Sequence, residues 1–568
     1  MWYRGYGARA ASPRSLEAEM QELIFGLIGG TALLMYGVDK MGEGLEKASG
    51  DMMRKILSVL TARVWSAFLV GTFLTALVQS STAITVLTVG FVNAGLMKLP
   101  QAVGIIYGAN IGTTITAQLM AFSFHFKLTD IALPVLGLGF AISYFGKRKV
   151  RYIGDAVMGF GVMFLGLKIL NGGIPIMQTS ETLRLFFERY ASIPIVAIVL
   201  GAVATAMVHS SAATVGLVMV LGQAGLIDLR AAVCIMLGDN IGTCITAQMA
   251  SLTGNIHARR TAWAHTLYNI IGVILAALLL PFFLESIVVV TNSLQPNGGI
   301  AAQIANSHTL FNVLSAVIFL PFTKLYVRFL EVIIRSKEEV GEDTPVYLDN
   351  LLLDTPAAAI KAVASEMARV IDISRRMLRE VMNGFYSNDD RMLERARKDE
   401  ETLNTLQRQV TMYIVDMSKR PLSETQSKAI PAMISGINNA ERIGDHALSL
   451  AGLAQEKIEK SLIFSREALQ DLQKIEKTLG TMFDMTTEAL RETDSSHLRD
   501  VQALEDTIDE LSRQMQAGHA RRLKEGRCSV ESGLIFLDVV NYLERIADHV
   551  YKACSSGAVI AEATAKTK

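Results

Sequence analysis

Two long stretches of this chain, residues 64–97 and 193–227, contain no charged residue, yet each carries polar side chains near its middle. The first holds Gln79, Ser80, Ser81, Thr82 and Thr85; the second holds His209, Ser210, Ser211 and Thr214. Each is followed by a second polar set: Asn110, Thr113, Thr114, Thr116 and Gln118 in one case, Asn240, Thr243, Thr246 and Gln248 in the other. Hydroxyls and helix N-termini offer hydrogen-bond donors to a tetrahedral oxyanion without fixing a salt bridge. Amide, hydroxyl and backbone oxygens suit a small hard cation. With no Lys or Arg alongside, the charge of a bound anion has to be offset in another way. Co-bound cations would do so, and their release would weaken the anion's hold. That is a physical basis for coupling two solutes.

These sets are copies of one another. Gln79-Ser80-Ser81-Thr82-Ala83 recurs as His209-Ser210-Ser211-Ala212-Ala213, and the segment 108–118 recurs as 238–248 with nine of eleven residues identical. Ala94-Gly95-Leu96 and Ala224-Gly225-Leu226 keep the same offset of 130 residues. Such self-similarity marks a duplication. A lone Ser-Ser pair in a membrane helix more often bonds its own backbone or lets helices pack closely; two copies in one register favour a site. Gly112 and Gly242 are as open to packing or helix interruption as to binding. Asp239 stands where the first copy has Ala109. A carboxylate at that depth is costly and usually functional, which favours a cation ligand or charge-balancing group over a helix-end or interface position.

The elements that would position these residues are membrane helices. Of the 54 acidic residues, 15 precede residue 333 and 39 follow it, and apolar runs such as 267–283 lie in the first part. Runs of this kind match a hydrocarbon layer that a helix of about 20 residues crosses. Each copy reads as one helix (about 23–45 and 153–175), a longer unit (about 65–97 and 193–227), and two more helices. Polar groups halfway along the longer unit predict a re-entrant hairpin, because backbone unwinds in a membrane only where protein or water satisfies it. Three crossings per copy turn the second copy upside down, the inverted-repeat plan of secondary transporters. One more helix, about 303–332, makes seven. Arg54, Lys55, Arg63, Lys147, Arg148, Lys149, Arg151, Arg259 and Arg260 then share a side with the C-terminus, as the positive-inside rule requires, whereas the N-terminal arginines do not. Residues 1–22 read as a polar leader ahead of a first membrane helix rather than a cleaved signal peptide.

The duplicated Gln-Ser-Ser element with its Gly-x-Asn-Ile-Gly-Thr partners resembles the type II sodium/phosphate cotransporter family over about residues 23–330. The resemblance implies sodium-coupled transport of inorganic phosphate, with the two motifs at facing hairpin tips. It implies binding roles for Gln79, Ser80, Ser81, Thr82, Ser210 and Ser211; Asn110, Thr113, Thr114, Asp239, Asn240 and Thr243 complete the expected set. His209, where Gln is usual, and Ala212 depart from the pattern. An altered sodium ligand set, proton involvement at His209 and a hydrogen-bonded core histidine are the readings of that departure.

Beyond a charged linker (333–355) the pattern changes to amphipathic helices, with Met367, Val370, Ile371, Met377, Leu378 and Val381 on one face. Turn signals near Asn388, Pro421, Phe464, Ser495 and Gly526 divide residues 356–555 into six helices, leaving a tail of 556–568. Glu441-Arg442-Ile443-Gly444-Asp445-His446 matches Glu544-Arg545-Ile546-Ala547-Asp548-His549, so two three-helix bundles follow. Glu441 and Asp445, Glu505 and Asp509, and Glu544 and Asp548 each share a helix face at a four-residue spacing. Carboxylates of neighbouring helices can converge on a cation, and the region resembles the PhoU family, which implies a divalent or transition metal at these six residues. Asn404 departs from the acidic pattern. A solvated face with Arg442 and Arg545 pairing locally is the alternative.

The expected fold is therefore all-α: a polytopic membrane part of two repeats (23–150, and 151–332 with the final helix) and a soluble PhoU-like part. The expected function is sodium-coupled phosphate transport across the cytoplasmic membrane, direction undetermined, with the C-terminal part cytoplasmic and modulating. A non-transporting phosphate sensor is the rival. No nucleophile with a base, phosphate-binding glycine loop or nucleic-acid patch emerges, so an enzyme is not expected. Partners are phosphate, sodium, the lipid bilayer and a second copy of the chain. Four scattered cysteines form neither a disulfide framework nor a zinc ribbon.

Overall fold

A computed structural model of the chain describes residues 16–59, 63–147, 149–252, 254–296, 298–335, 343–353 and 355–565. Most of the leader, Arg148, linker residues 336–342 and residues 566–568 of the tail lie outside the described residues. Every regular element among those described is helical. The chain separates into two compact units, one of residues 1–89, 98–253 and 257–335, the other of residues 90–97, 254–256 and 336–568.

In the first unit the duplication is visible helix by helix. Helix α1 (Leu16–Val59) is followed by α2 (Val64–Val78), α3 (Ser81–Asn93), α4 (Leu99–Phe126) and α5 (Ala132–Phe145). The second copy has α6 (Lys149–Gly172), the short α7 (Ile174–Thr179) and α8 (Glu181–Tyr190), then α9 (Pro194–Val208), α10 (Ser211–Gln223), α11 (Leu229–Gly242), α12 (Ile245–Ser251) and α13 (Ile256–Leu278). Helices α14 (Leu280–Leu294), α15 (Gly299–Phe319) and α16 (Thr323–Ile333) end the unit. Equivalent helices α1 and α6 pack on each other through small residues. A Cβ on Gly159 would fall 2.7 Å from Gly37 O, and one on Gly166 2.7 Å from Gly30 O. Backbones this close need glycine, as at small-residue interfaces between membrane helices. The core beneath them is apolar, with Leu34, Met163, Phe164 and Met219 almost fully buried. Large apolar side chains also remain exposed on the unit's surface, among them Phe145, Met207, Leu278 and Phe282, as a lipid-facing surface requires.

Among the described residues five spans are long and apolar enough to cross a membrane, Met20–Ser49, Leu128–Phe145, Lys149–Thr179, Leu229–Ser251 and Ile256–Leu278, or up to seven if each of two bent helix pairs is one span. These are five of the seven expected crossings. Helix α4 is not among them. The expected last helix, about 303–332, is instead broken: α15 and α16 meet at 84°. Pro321 lies at the break, where it has no N–H to donate, while Leu320 before it keeps helical angles (φ −60°, ψ −43°).

The second unit contains the six expected helices: α17 (Pro356–Ser387), α18 (Asp390–Ser418), α19 (Glu424–Glu459), α20 (Arg466–Glu492), α21 (Leu498–Lys524) and α22 (Val530–Ala565). The breaks fall at the turn residues of the sequence. Asn388 ends α17 in the left-handed conformation (φ 55°), as Asn does readily, and Gly526 (φ 66°) follows α21. Ser423 and Ser465 cap α19 and α20 by accepting from Gln426 N and Ala468 N. Helix α22 runs to Ala565, so most of the expected tail is helical.

Candidate functional site

The polar motifs stand at two matching helix breaks. Helix α2 ends at Val78, Gln79 adopts the left-handed conformation (φ 59°), and α3 starts at Ser81. Helix α9 ends at Val208, His209 does the same (φ 55°), and α10 starts at Ser211. The first serine of each pair is a helix cap: Ser80 Oγ accepts from Ala83 N at 3.2 Å and Ser210 Oγ from Ala213 N at 3.3 Å. The second serines are thereby placed in the first turns of α3 and α10, where unpaired backbone N–H groups gather.

Ser81 and Ser211 line one small central cavity with Asn110, Thr113, Asp239, Asn240, Thr243 and His308. Both copies therefore contribute to a single site. Its volume is about 10 Å³, room for about one water, so a tetrahedral oxyanion enters only if the breaks part. Among the described residues no Lys or Arg lines it, and Asp239 is its one carboxylate. Asp239 is fully buried; Oδ1 accepts from the Thr205 hydroxyl at 2.7 Å, and Oδ2 has no partner. Thr205 also lies 2.8 Å from the Thr214 hydroxyl. The first copy has the threonine without the acid: Thr75, equivalent to Thr205, is buried with its hydroxyl unpaired, opposite the position of Ala109.

The asparagines are held from behind. Asn110 Nδ2 donates to Asn269 Oδ1 at 3.0 Å and Asn110 Oδ1 lies 3.2 Å from His265 Nε2. Asn240 Oδ1 accepts from Asn312 at 3.3 Å. Gln118 reaches Asn306 and Thr309 on α15, and Gln248 reaches Thr266 on α13. The glycines of the motif serve packing. A Cβ on Gly112 would lie 2.7 Å from Thr72 O, and one on Gly242 would lie 2.8 Å from Thr205 Cβ. They bring α4 against α2 and α11 against α9.

Several expected residues stand outside the cavity lining. Gln79 accepts from Thr116 at 2.5 Å and donates to Ala76 O, so its amide is spent on holding the break. Thr114 donates to Ile111 O at 2.8 Å. Thr82 is half-buried and is not among the lining residues. His209 is exposed at its turn, which removes the core-histidine reading. Conversely, His308, His265, Asn269 and Asn312 were not expected. Their signal is the spacing His-x-x-x-Asn, which occurs on both α13 and α15 and puts imidazole and amide on one helix face.

In the second unit the paired acidic residues face carboxylates of a neighbouring helix, Glu505 those of Glu544 and Asp548, and Glu441 that of Glu400. Among the described residues, no three His, Cys, Asp or Glu side chains are placed to hold a metal ion. Glu441, Asp445, Glu505, Asp509, Glu544 and Asp548 thus form no ready metal centre, and partners nearby account for some of them: Lys552 reaches Asp548 at 2.6 Å and Ser512 reaches Glu544 at 3.0 Å. Asn404 donates to Glu400 at 2.6 Å. Burial, then Asp445, raises the Glu441 pKa above the usual carboxylate range, and burial, then Asp509, raises that of Glu505. Between the repeated motifs the imidazoles of His446 and His549 stack with centroids 5.2 Å apart. Burial, then His446, pushes His549 down to about 4.

Residues 33–172 and 176–293 match the Na+/Pi-cotransporter family, and residues 367–454 and 472–556 match the PhoU domain. The uncharacterized protein YqeW of Bacillus subtilis is 33% identical over 318 residues, covering 99% of that protein and 55% of this chain. The chain belongs to the Na+/Pi-cotransporter family. It carries a PhoU domain at its C-terminal end. A relative of the same two-part length is the Escherichia coli K12 protein named "Putative inorganic phosphate export protein YjbB", 26% identical over 92% of this chain and 94% of its own. The rabbit (Oryctolagus cuniculus) sodium-dependent phosphate transport protein 2A is 36% identical over 91 residues, 16% of this chain and 14% of that protein. This family's model covers both helix breaks and every residue of the central cavity except His308.

Proposed function

We propose that this protein transports inorganic phosphate together with sodium across the cytoplasmic membrane, and that its PhoU domain lies in the cytoplasm and modulates transport. The observation that carries the reading is the meeting of Ser81 and Ser211, equivalent residues of the two copies, in one cavity with a single carboxylate. Phosphate is received by the hydroxyls of Ser81, Ser211, Thr113 and Thr243 and by the first-turn N–H groups of α3 and α10. Without a basic residue in the lining, Asp239 alone would repel the anion. Sodium at the Asp239 carboxylate and the Thr205 and Thr214 hydroxyls reverses that repulsion, so the two solutes favour each other's binding. The helix breaks are read as tips of re-entrant hairpins and the copies as inverted repeats, with α1, α4, α5, α6, α11–α12, α13 and α15 crossing the bilayer and the site near its midplane. Arg63, Lys147, Arg151, Arg259 and Arg260 then face the cytoplasm with the PhoU domain. Alternating access follows from parting the two tips toward one side at a time. Gradients, not the site, set the direction of net flux.

Radiolabelled phosphate flux in proteoliposomes, with and without a sodium gradient, tests the reading. Flux that follows the sodium gradient is expected. Equal flux without sodium would refute the coupling, and binding without flux in either condition would favour a membrane phosphate sensor.

A further inference from the structure

The second unit holds a much larger cavity that no transport role uses. About 720 Å³ in volume, it lies where the connection 461–465, the end of α21 with its following turn, and the start of α22 come together. That size is typical of sites for small organic ligands.

One wall is built around a buried cation. Arg522 is 6% exposed; its guanidinium sits 5.3 Å over the Phe536 ring, and Nη1 reaches Asp471 only at 3.5 Å. Its Nη2 is buried and has no hydrogen-bond partner. An unpaired buried donor of a charged group is costly, and a bound acceptor would remove that cost. Asp471 is shared with Lys474 at 3.0 Å, which weakens its claim on Arg522. Two long helices, α20 and α22, start at the cavity, and Ser465, Ser529 and Ser532 stand at their N-terminal ends. Arg527 stands at the rim, paired with Glu525 and Glu467. Arg522 and Arg527 are the lining's two cations, with Glu531 its carboxylate among the described residues. The opposite wall is apolar: Leu462, Ile463 and Phe464, with Ile463 87% exposed at the lip.

A buried arginine with a free donor, two helix N-termini and an apolar wall describe a ligand with an anionic head and an organic body. We propose that this cavity binds a phosphorylated small molecule, its phosphate held by Arg522 and the starts of α20 and α22, its body lying on Leu462, Ile463 and Phe464. Inorganic phosphate would engage the arginine but leave the apolar wall and most of the volume unused. The domain is thereby a receptor for a phosphate ester rather than for the transported ion.

Hydrogen exchange of the full chain in detergent tests this with four probes at equal concentration: AMP, glucose 6-phosphate, adenosine and inorganic phosphate. Slowed exchange in residues 461–468 and 526–533 is expected with AMP or glucose 6-phosphate, and little change with adenosine or inorganic phosphate. Arg522→Gln should weaken the effective ester about 10- to 100-fold, the range for a charge-assisted hydrogen bond. Because Arg522 is buried, Ile463→Glu provides a variant at an exposed position; its added negative charge should weaken the ester without altering exchange elsewhere. No protection by either ester would overturn the proposal. So would equal protection by adenosine, equal protection by inorganic phosphate, or unchanged ester affinity in both variants.

Discussion

Thr75→Val and Thr205→Val make one chemical change at equivalent positions of the two repeats, and the structure assigns them opposite consequences. Each removes a buried hydroxyl and keeps the shape. The Thr205 hydroxyl donates to a fully buried carboxylate at 2.7 Å, while the Thr75 hydroxyl is buried with no partner. A hydrogen bond to a charged group contributes about 1.5–3 kcal/mol, and its loss leaves both Asp239 oxygens unpaired. For Thr205→Val that predicts a sodium half-saturation raised about 10- to 100-fold, with a lower unfolding temperature. For Thr75→Val it predicts an unchanged sodium dependence and stability equal to wild type or better by up to about 1 kcal/mol, since an unsatisfied group is removed. The assay is sodium-dependent phosphate flux in proteoliposomes, paired with thermal unfolding in detergent. Equal losses in both variants would refute the assignment of the cation to Asp239, because both threonines would then be ligands. No loss in either would leave Thr205 without the role given to it.

Three other outcomes follow from named contacts. Asp239→Asn keeps the shape and removes the only carboxylate of the cavity; a charge pair near 4 Å at an effective dielectric of 20 is worth about 4 kcal/mol, so flux should lose its sodium dependence. Gly112→Ala would press a Cβ to 2.7 Å from Thr72 O, and thermal unfolding should show a loss of about 1–3 kcal/mol. His549 takes up its proton near pH 4 when folded and near 6.5 when unfolded, owing first to burial and then to His446. The unfolded state therefore binds more protons between those values, so this contribution to stability is complete above pH 6.5 and lost as pH falls toward 4. Hydrogen exchange of residues 356–565 across that range should show the decline, and His549→Gln should flatten it.

Much of this was legible because the chain repeats itself. The breaks at Gln79 and His209 could be located from small polar residues inside apolar runs, since only satisfied backbone unwinds in a membrane. The six C-terminal helices were legible for another reason: Asn388, Pro421 and Gly526 punctuate an otherwise strict helical period. What the sequence concealed depends on three-dimensional neighbours. His265 and Asn269 have Val135 and Gly139 as their equivalents in the first copy, and His308 and Asn312 lie on a helix outside both copies, so the duplication drew no attention to them. Whether a serine caps a helix or faces a cavity is decided by one residue of phase, which separates Ser80 from Ser81. Four-residue spacing aligned Glu441 with Asp445 and Glu544 with Asp548, but packing across helices decides whether enough of them meet to hold a metal, and among the described residues no three do. Pro321 gave a readable sign of a break that the apolar run on either side masked.

The most direct measurement is the binding of inorganic phosphate to the purified full chain, with and without sodium, in wild type, Ser81→Ala and Ser211→Ala. If the two copies enclose one anion, wild-type binding should strengthen with sodium and either substitution alone should weaken it by about tenfold or more, a hydrogen bond to a charged group being lost in each. Wild-type affinity in both single variants would contradict a shared site.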